Sequence, residues 1–152
     1  MSAETTKEKL IEAAAALFAE RGFREVTVEE ICGRAGANLA AVNYHFRSKS
    51  KLLLATLRHA FELAEAEYPL AGGGEEAERR LFHFMNALIR RGFDPGPAGI
   101  FERMMSREGT REAAGSLVFD EVNRLQGRIL KDILQHWFPD EESRIFHQAR
   151  LN

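Results

Sequence analysis

Acid is missing from one long stretch of this chain. Between Ile31 and Phe61 there is no Asp or Glu, although the whole sequence carries 23 acidic against 21 basic residues. The same stretch holds Arg34, Arg47, Lys49, Lys51 and Arg58. Other scarcities narrow the field. A single cysteine, Cys32, rules out an internal disulfide and fits a reducing compartment. With nothing cationic beside it, it reads as a small buried hydrophobe. Four prolines in 152 residues leave little to interrupt helices. No apolar run approaches the ~20 residues that cross a bilayer. The opening "MSAETTKEKLIEAA" has no apolar core of a secretory signal. The expectation is a cytoplasmic protein. A net charge of −2 excludes an everywhere-basic, histone-like chain, but leaves open a local basic surface. A convincing alternation of period two, the mark of a strand, is absent.

What is present is helical. Apolar residues at 45% and charged residues at 29% suit a globular domain with a real core, in which folding removes roughly two-thirds of the unfolded surface from water. Thr5 and Glu8 form a capping box for a helix over Thr6 to Arg21, with Leu10, Ala14, Leu17 and Phe18 inward and Gly22 as its stop. Thr27 and Glu30 repeat the device for a short helix over Val28 to Ala35, stopped by Gly36. Asn38 caps another over Leu39 to Phe46. Two short helices separated by a glycine-containing turn make a helix-turn-helix pattern. Ser48 opens a fourth helix to Tyr68, with Leu53, Leu57, Phe61, Ala64 and Tyr68 inward. It is the one element expected to belong to both halves of the protein. Beyond the loop "PLAGGGEE", a helix with Leu81, Met85 and Leu88 inward is expected, then one with Ile100, Phe101, Met104 and Met105. A long helix from about Arg111 to Phe138 should bury Val118, Val122, Leu125, Ile129, Ile133 and Trp137. A final short one over "DEESRIFHQARLN" should bury Ile145 and Ala149.

In a helix-turn-helix the second short helix enters the major groove. "NLAAVNYHF" suits that role. Leu39, Ala40 and Ala41 let the backbone approach thymine methyls, Asn43 can read a base edge or bind a phosphate, and Tyr44 and His45 offer donors along the phosphate path. Val42 and Phe46 point back into the core. The Lys49 ammonium and the free N–H groups of its helix start can share a phosphate. The acid-free segment is then the face turned to a polyanion.

These residues resemble the DNA-binding domain of the TetR family of bacterial transcriptional regulators. The likeness runs over "KLIEAAAALFAERGF", "VTVEEICGRAGAN" and above all "YHFRSK". "NLAAVNYHF" is similar to one branch of that family, whose C-terminal domains share segments like "GIFERMMSRE", Gly99 to Glu108. The resemblance implies an all-α fold: a helix-turn-helix head over residues 1–48, joined by the fourth helix to an effector and dimerisation domain over 49–152. It implies a homodimer on palindromic double-stranded DNA, released by a small effector, with no cofactor. By motif position, Thr27, Val28, Tyr44, His45 and Lys49 match phosphate-contacting residues. Leu39, Ala40 and Asn43 match residues that approach bases, with the cap Asn38 beside them. The family's last two helices form the dimer's four-helix bundle, and the expectation is either that the chain is incomplete there or that its dimerisation differs. An apolar or aromatic effector would suit a pocket of Phe84, Leu88, Phe101, Met105, Phe119, Leu125 and Trp137, a set chosen from helical faces alone.

The rivals are weaker. No motif organises the five histidines into a catalytic or metal site, and "GGGEE" lacks the strand and the Gly-Lys-Ser/Thr of a phosphate loop. A sequence-independent DNA binder would want more positive charge. The alternative kept is a helical ligand-binding or protein-interaction module without specific DNA binding.

Overall fold

Capping chemistry sets where the helices of the head begin. In the computed structural model, which describes residues 5–107 and 120–137, α1 spans Thr6–Arg21, α2 Val28–Ala35, α3 Leu39–His45 and α4 Lys49–Glu67. Both expected capping boxes are formed. Thr5 and Thr27 accept from the N–H groups of Glu8 and Glu30, and each glutamate accepts from its threonine's N–H at 2.7 Å. Asn38 Oδ1 accepts from Ala41 N–H at 2.9 Å and Ser48 Oγ from Lys51 N–H at 3.2 Å. At Gly36, φ is 64°, so glycine fits the left-handed turn between α2 and α3 at no side-chain cost. Arg47 takes the same conformation, φ 63°, in the turn into α4.

Beyond the glycine loop, α5 spans Ala77–Phe93, a 3₁₀ turn covers Pro97–Gly99 and α6 spans Ile100–Ser106. Residues 120–134 are helical, with a π-helical turn at Asn123–Gly127 leading into α7, Arg128–Leu134. The described residues contain no strand, and the fold is all-α. The expected helix from Arg111 is described only from residue 120. The expected helix over Ile145 and Ala149, with Val118 and Phe119, lies outside the described residues.

One apolar core runs from Leu10, Phe18 and Val26 in the head through Leu53, Leu57 and Phe61 of α4 to Phe84, Phe101, Met104 and Ile133. The expectation that α4 alone joins the halves needs correction. α1 packs against α6 as well as against α2 and α4, and Arg107 Nε donates to the Ala19 carbonyl at 3.0 Å. A second face of α4, Leu52, Thr56 and Ala60, is also buried, with the Thr56 hydroxyl donating to the Leu52 carbonyl. Of the expected inward face of α5, Leu81 and Leu88 pack half-buried against the core, but the fully buried line lies to one side of it. Met85 is exposed, and Ala77, Phe84, Ala87 and Arg91 are buried instead. Arg91 is wholly enclosed because its Nε and Nη2 donate to the Tyr68 carbonyl at the end of α4 and Nη2 also pairs with Glu65.

Candidate nucleic-acid interface

The head presents α3 outward. Val42, 2% exposed, and Phe46, 5% exposed, anchor it against α1 and α2. Four residues apart, they share one side of the helix. The opposite side is left to solvent: Asn38, Leu39, Ala40, Asn43, Tyr44 and His45 are all exposed. Tyr44 is 82% exposed with its ring edge-on to His45 at 5.0 Å, and Leu39 is 47% exposed. Large rings and an apolar side chain held in water at a helix surface invite a partner. Thr27 is exposed at the start of α2 and Val28 is half-buried beside it. The Asn38 carbonyl oxygen of the side chain is used by its cap, which leaves its NH₂ free to donate.

Charge around this face is more structured than the count of cations suggests. Arg34 approaches Glu20 at 3.5 Å. Arg58 leaves the interface altogether: Nε donates to Glu121 Oε1 at 2.6 Å and Nη2 to Oε2 at 3.2 Å. Arg124 grips the same carboxylate at 2.7 Å, and the two guanidinium groups hold the Glu121 pKa down to about 2. Arg47 and Lys51 remain exposed near α3. Lys49 is turned inward. Its ammonium donates to the Phe23 carbonyl and lies 4.3 Å from the centre of the Phe23 ring. Burial lowers its pKa, and Glu30 partly offsets this. The lysine chosen as a phosphate anchor thus ties the start of α4 to the turn after α1. Cys32 is buried as expected, with its thiol pKa raised by burial and by Glu29.

In the body, Phe84 and Phe101 are buried core, and Leu88, Met105, Leu125 and Trp137 are half-buried against it. None of them lines either of two open clefts among the described residues. The larger, about 780 Å³, is an open cleft between the end of α4, the glycine loop and α5, bounded by Tyr68, Gly73, Phe82, His83, Asn86 and Arg90. The smaller lies between that loop and α7. The interior polar groups were missed by helical periodicity. Glu102, held by the Gln126 amide at 3.1 Å, has its pKa raised by burial. Arg91 Nη1 has no partner among the described residues. Helical spacing assigns faces by hydropathy and so skips a buried arginine. A signal was available in Arg91's place four residues after Ala87 on the inward line of α5.

Comparison with known proteins agrees with the head. Residues 10–56 match the family model for bacterial regulatory proteins of the tetR family. The chain is 28% identical over 90 residues to the transposon Tn10 TetC protein of Escherichia coli, covering 57% of this chain and 46% of that protein. It is 36% identical over 73 residues to the HTH-type transcriptional regulator BetI of Brucella anthropi, covering 48% and 38%. The alignments span less than half the length of these curated relatives. Among solved structures, the fold matches a transcriptional regulator (TerR/AcrR family) from Aquifex aeolicus VF5. The TM-score is 0.56 at 23% identity, over 90% of this chain and 75% of that one. It also matches a putative TetR-family regulator from Vibrio parahaemolyticus, with TM-score 0.59 at 15% identity, over 87% and 69%. The head, residues 10–56, thus matches the model of the tetR family of bacterial regulatory proteins, and the helical fold of the chain is shared with these solved structures.

Proposed function

We propose that this protein is a cytoplasmic, sequence-specific DNA-binding regulator of transcription. The reading is of a repressor that leaves a palindromic operator when a small apolar or aromatic effector binds its body. One observation carries the DNA-binding half: α3 is fixed from behind by Val42 and Phe46 while its whole opposite face stands exposed in a stretch without a single acid. A rigid helix with small residues at its leading end can lie in a major groove without repelling the phosphates. Two heads on one twofold axis would read the two halves of a palindrome, so the working form is a homodimer. In this reading Leu39, Ala40 and Asn43 meet bases. Thr27, Val28, Asn38, Tyr44 and His45 position the head on phosphates, with Arg47 and Lys51 adding charge. The effector half rests on architecture. α4 runs from the head into the body, α1 touches α6, and a ligand that prefers one placement of these helices changes head spacing by its differential affinity.

Selection of bound sequences from random duplex DNA tests the reading directly. It should return a palindrome. Ala40→Glu, which sets a carboxylate against the groove, should abolish binding to that palindrome while circular dichroism stays native. Unselected output, or full affinity in the Ala40→Glu protein, would favour the interaction-module alternative.

A further inference from the structure

Two turns in the head share one backbone shape and fill it differently. Gly36, φ 64°, closes α2, and Arg47, φ 63°, follows the end of α3. Left-handed backbone crowds a Cβ against the following carbonyl oxygen, which glycine avoids and arginine does not. Arg47 is the one non-glycine with such a φ among the described residues. Its N–H reaches the Val42 carbonyl at 3.3 Å and that of Asn43 at 3.2 Å, so the turn stops α3 through backbone bonds alone. Glycine would serve this turn better. What arginine adds lies in its side chain, and that side chain is uncommitted. Of the five cations in the acid-free stretch, Arg34 lies beside Glu20, Arg58 binds Glu121 and Lys49 donates to the Phe23 carbonyl. Arg47 and Lys51 are exposed and have no such partner among the described residues.

We propose that Arg47 is a phosphate anchor of the head, and that the strain in its turn persists because the side chain serves DNA rather than the fold. Strained backbone that survives in a folded protein gathers at functional sites. The place suits the role. Phe46, 5% exposed, pins the chain immediately before Arg47, and Ser48 caps α4 immediately after it. The guanidinium therefore starts from a fixed backbone point, two residues beyond His45 at the end of the open face of α3. Its planar fork of N–H groups can grip one phosphate with two bonds, which a lysine cannot do. Lys49, two residues on, is tied to the Phe23 carbonyl, so Arg47 supplies at this edge of the head the free cation that Lys49 does not. The proposal rests on the DNA-binding reading above.

Arg47→Gly separates the two roles, because stability and affinity should move in opposite directions. Urea unfolding should give this variant a higher midpoint at unchanged slope. Its binding to the palindrome recovered by selection, followed by fluorescence anisotropy, should weaken by roughly tenfold or more. Binding to a labelled duplex of random sequence should weaken by a similar factor. The plot of log affinity against log salt should flatten by about one unit for each head bound. Arg47→Lys keeps the charge without the fork, so it should keep the slope and recover part of the affinity. An Arg47→Gly protein that binds both duplexes as wild type does overturns the proposal and leaves the DNA reading standing. So does one no more stable than wild type, or one whose loss is confined to the palindrome, since that would make Arg47 a reader of sequence. If selection returns no palindrome, the random duplex alone decides the point. A wild-type chain that binds neither duplex removes the DNA reading itself, and this proposal with it.

Discussion

The Glu121 carboxylate offers a quantitative test of how the body holds α4. Glu121 is 6% exposed and its two partners come from different elements, Arg58 on α4 and Arg124 one turn along its own helix. Its pKa falls from an ordinary 4.5 to about 2 because both guanidinium groups hydrogen-bond the ionised form. A carboxylate whose pKa is depressed on folding contributes fully above its unfolded value, and the contribution fades as pH falls towards the folded value. The shift sets a ceiling of about 3 kcal/mol at 1.36 kcal/mol per unit. The arginines are about half exposed, 54% and 53%, so water screens them and about 1–2 kcal/mol is the realistic share. Urea unfolding of the wild-type protein and of Glu121→Gln, from pH 6 to pH 2.5, reads this directly. Wild type should be more stable by about 1–2 kcal/mol at pH 6, the gap should begin to close below pH 4.5, and little should remain at the acid end. A gap that stays constant with pH would show that shape rather than charge matters at this position. Equal stability at pH 6 would mean that the pair is solvated and does not fix α4 to the body.

Two further outcomes probe the head. Val42→Ala opens a cavity behind α3 and should cost about 2 kcal/mol, seen as a lower urea midpoint at unchanged slope; a wild-type midpoint would mean that α3 is not seated as described. Lys49→Ala removes the donor from the Phe23 carbonyl and should cost about 1–2 kcal/mol. It should also flatten the salt dependence of operator binding by about one unit if the ammonium swings onto a phosphate, and an unchanged slope would assign Lys49 to the fold alone.

What could be read from the sequence alone was local. Capping pairs lie three residues apart, so Thr5 with Glu8 and Thr27 with Glu30 located the starts of α1 and α2. Asn38 and Ser48 did the same for α3 and α4. Val42 and Phe46 lie four apart on one helix side, which told the anchored face of α3 from the open one. The head was therefore legible almost residue by residue. Tertiary structure decided everything that depends on partners far along the chain. Arg58 was counted among the cations facing DNA, but its carboxylate is 63 residues away. Lys49 meets a carbonyl 26 residues earlier, and Arg107 one 88 residues earlier. On α5 hydropathy pointed Met85 inward, yet the elements against which that helix packs select Ala87 and the charge-satisfied Arg91 and leave four large apolar side chains outside. Helical spacing shows that a face exists; only the neighbours across the interior decide which way it turns and which charges are already neutralised.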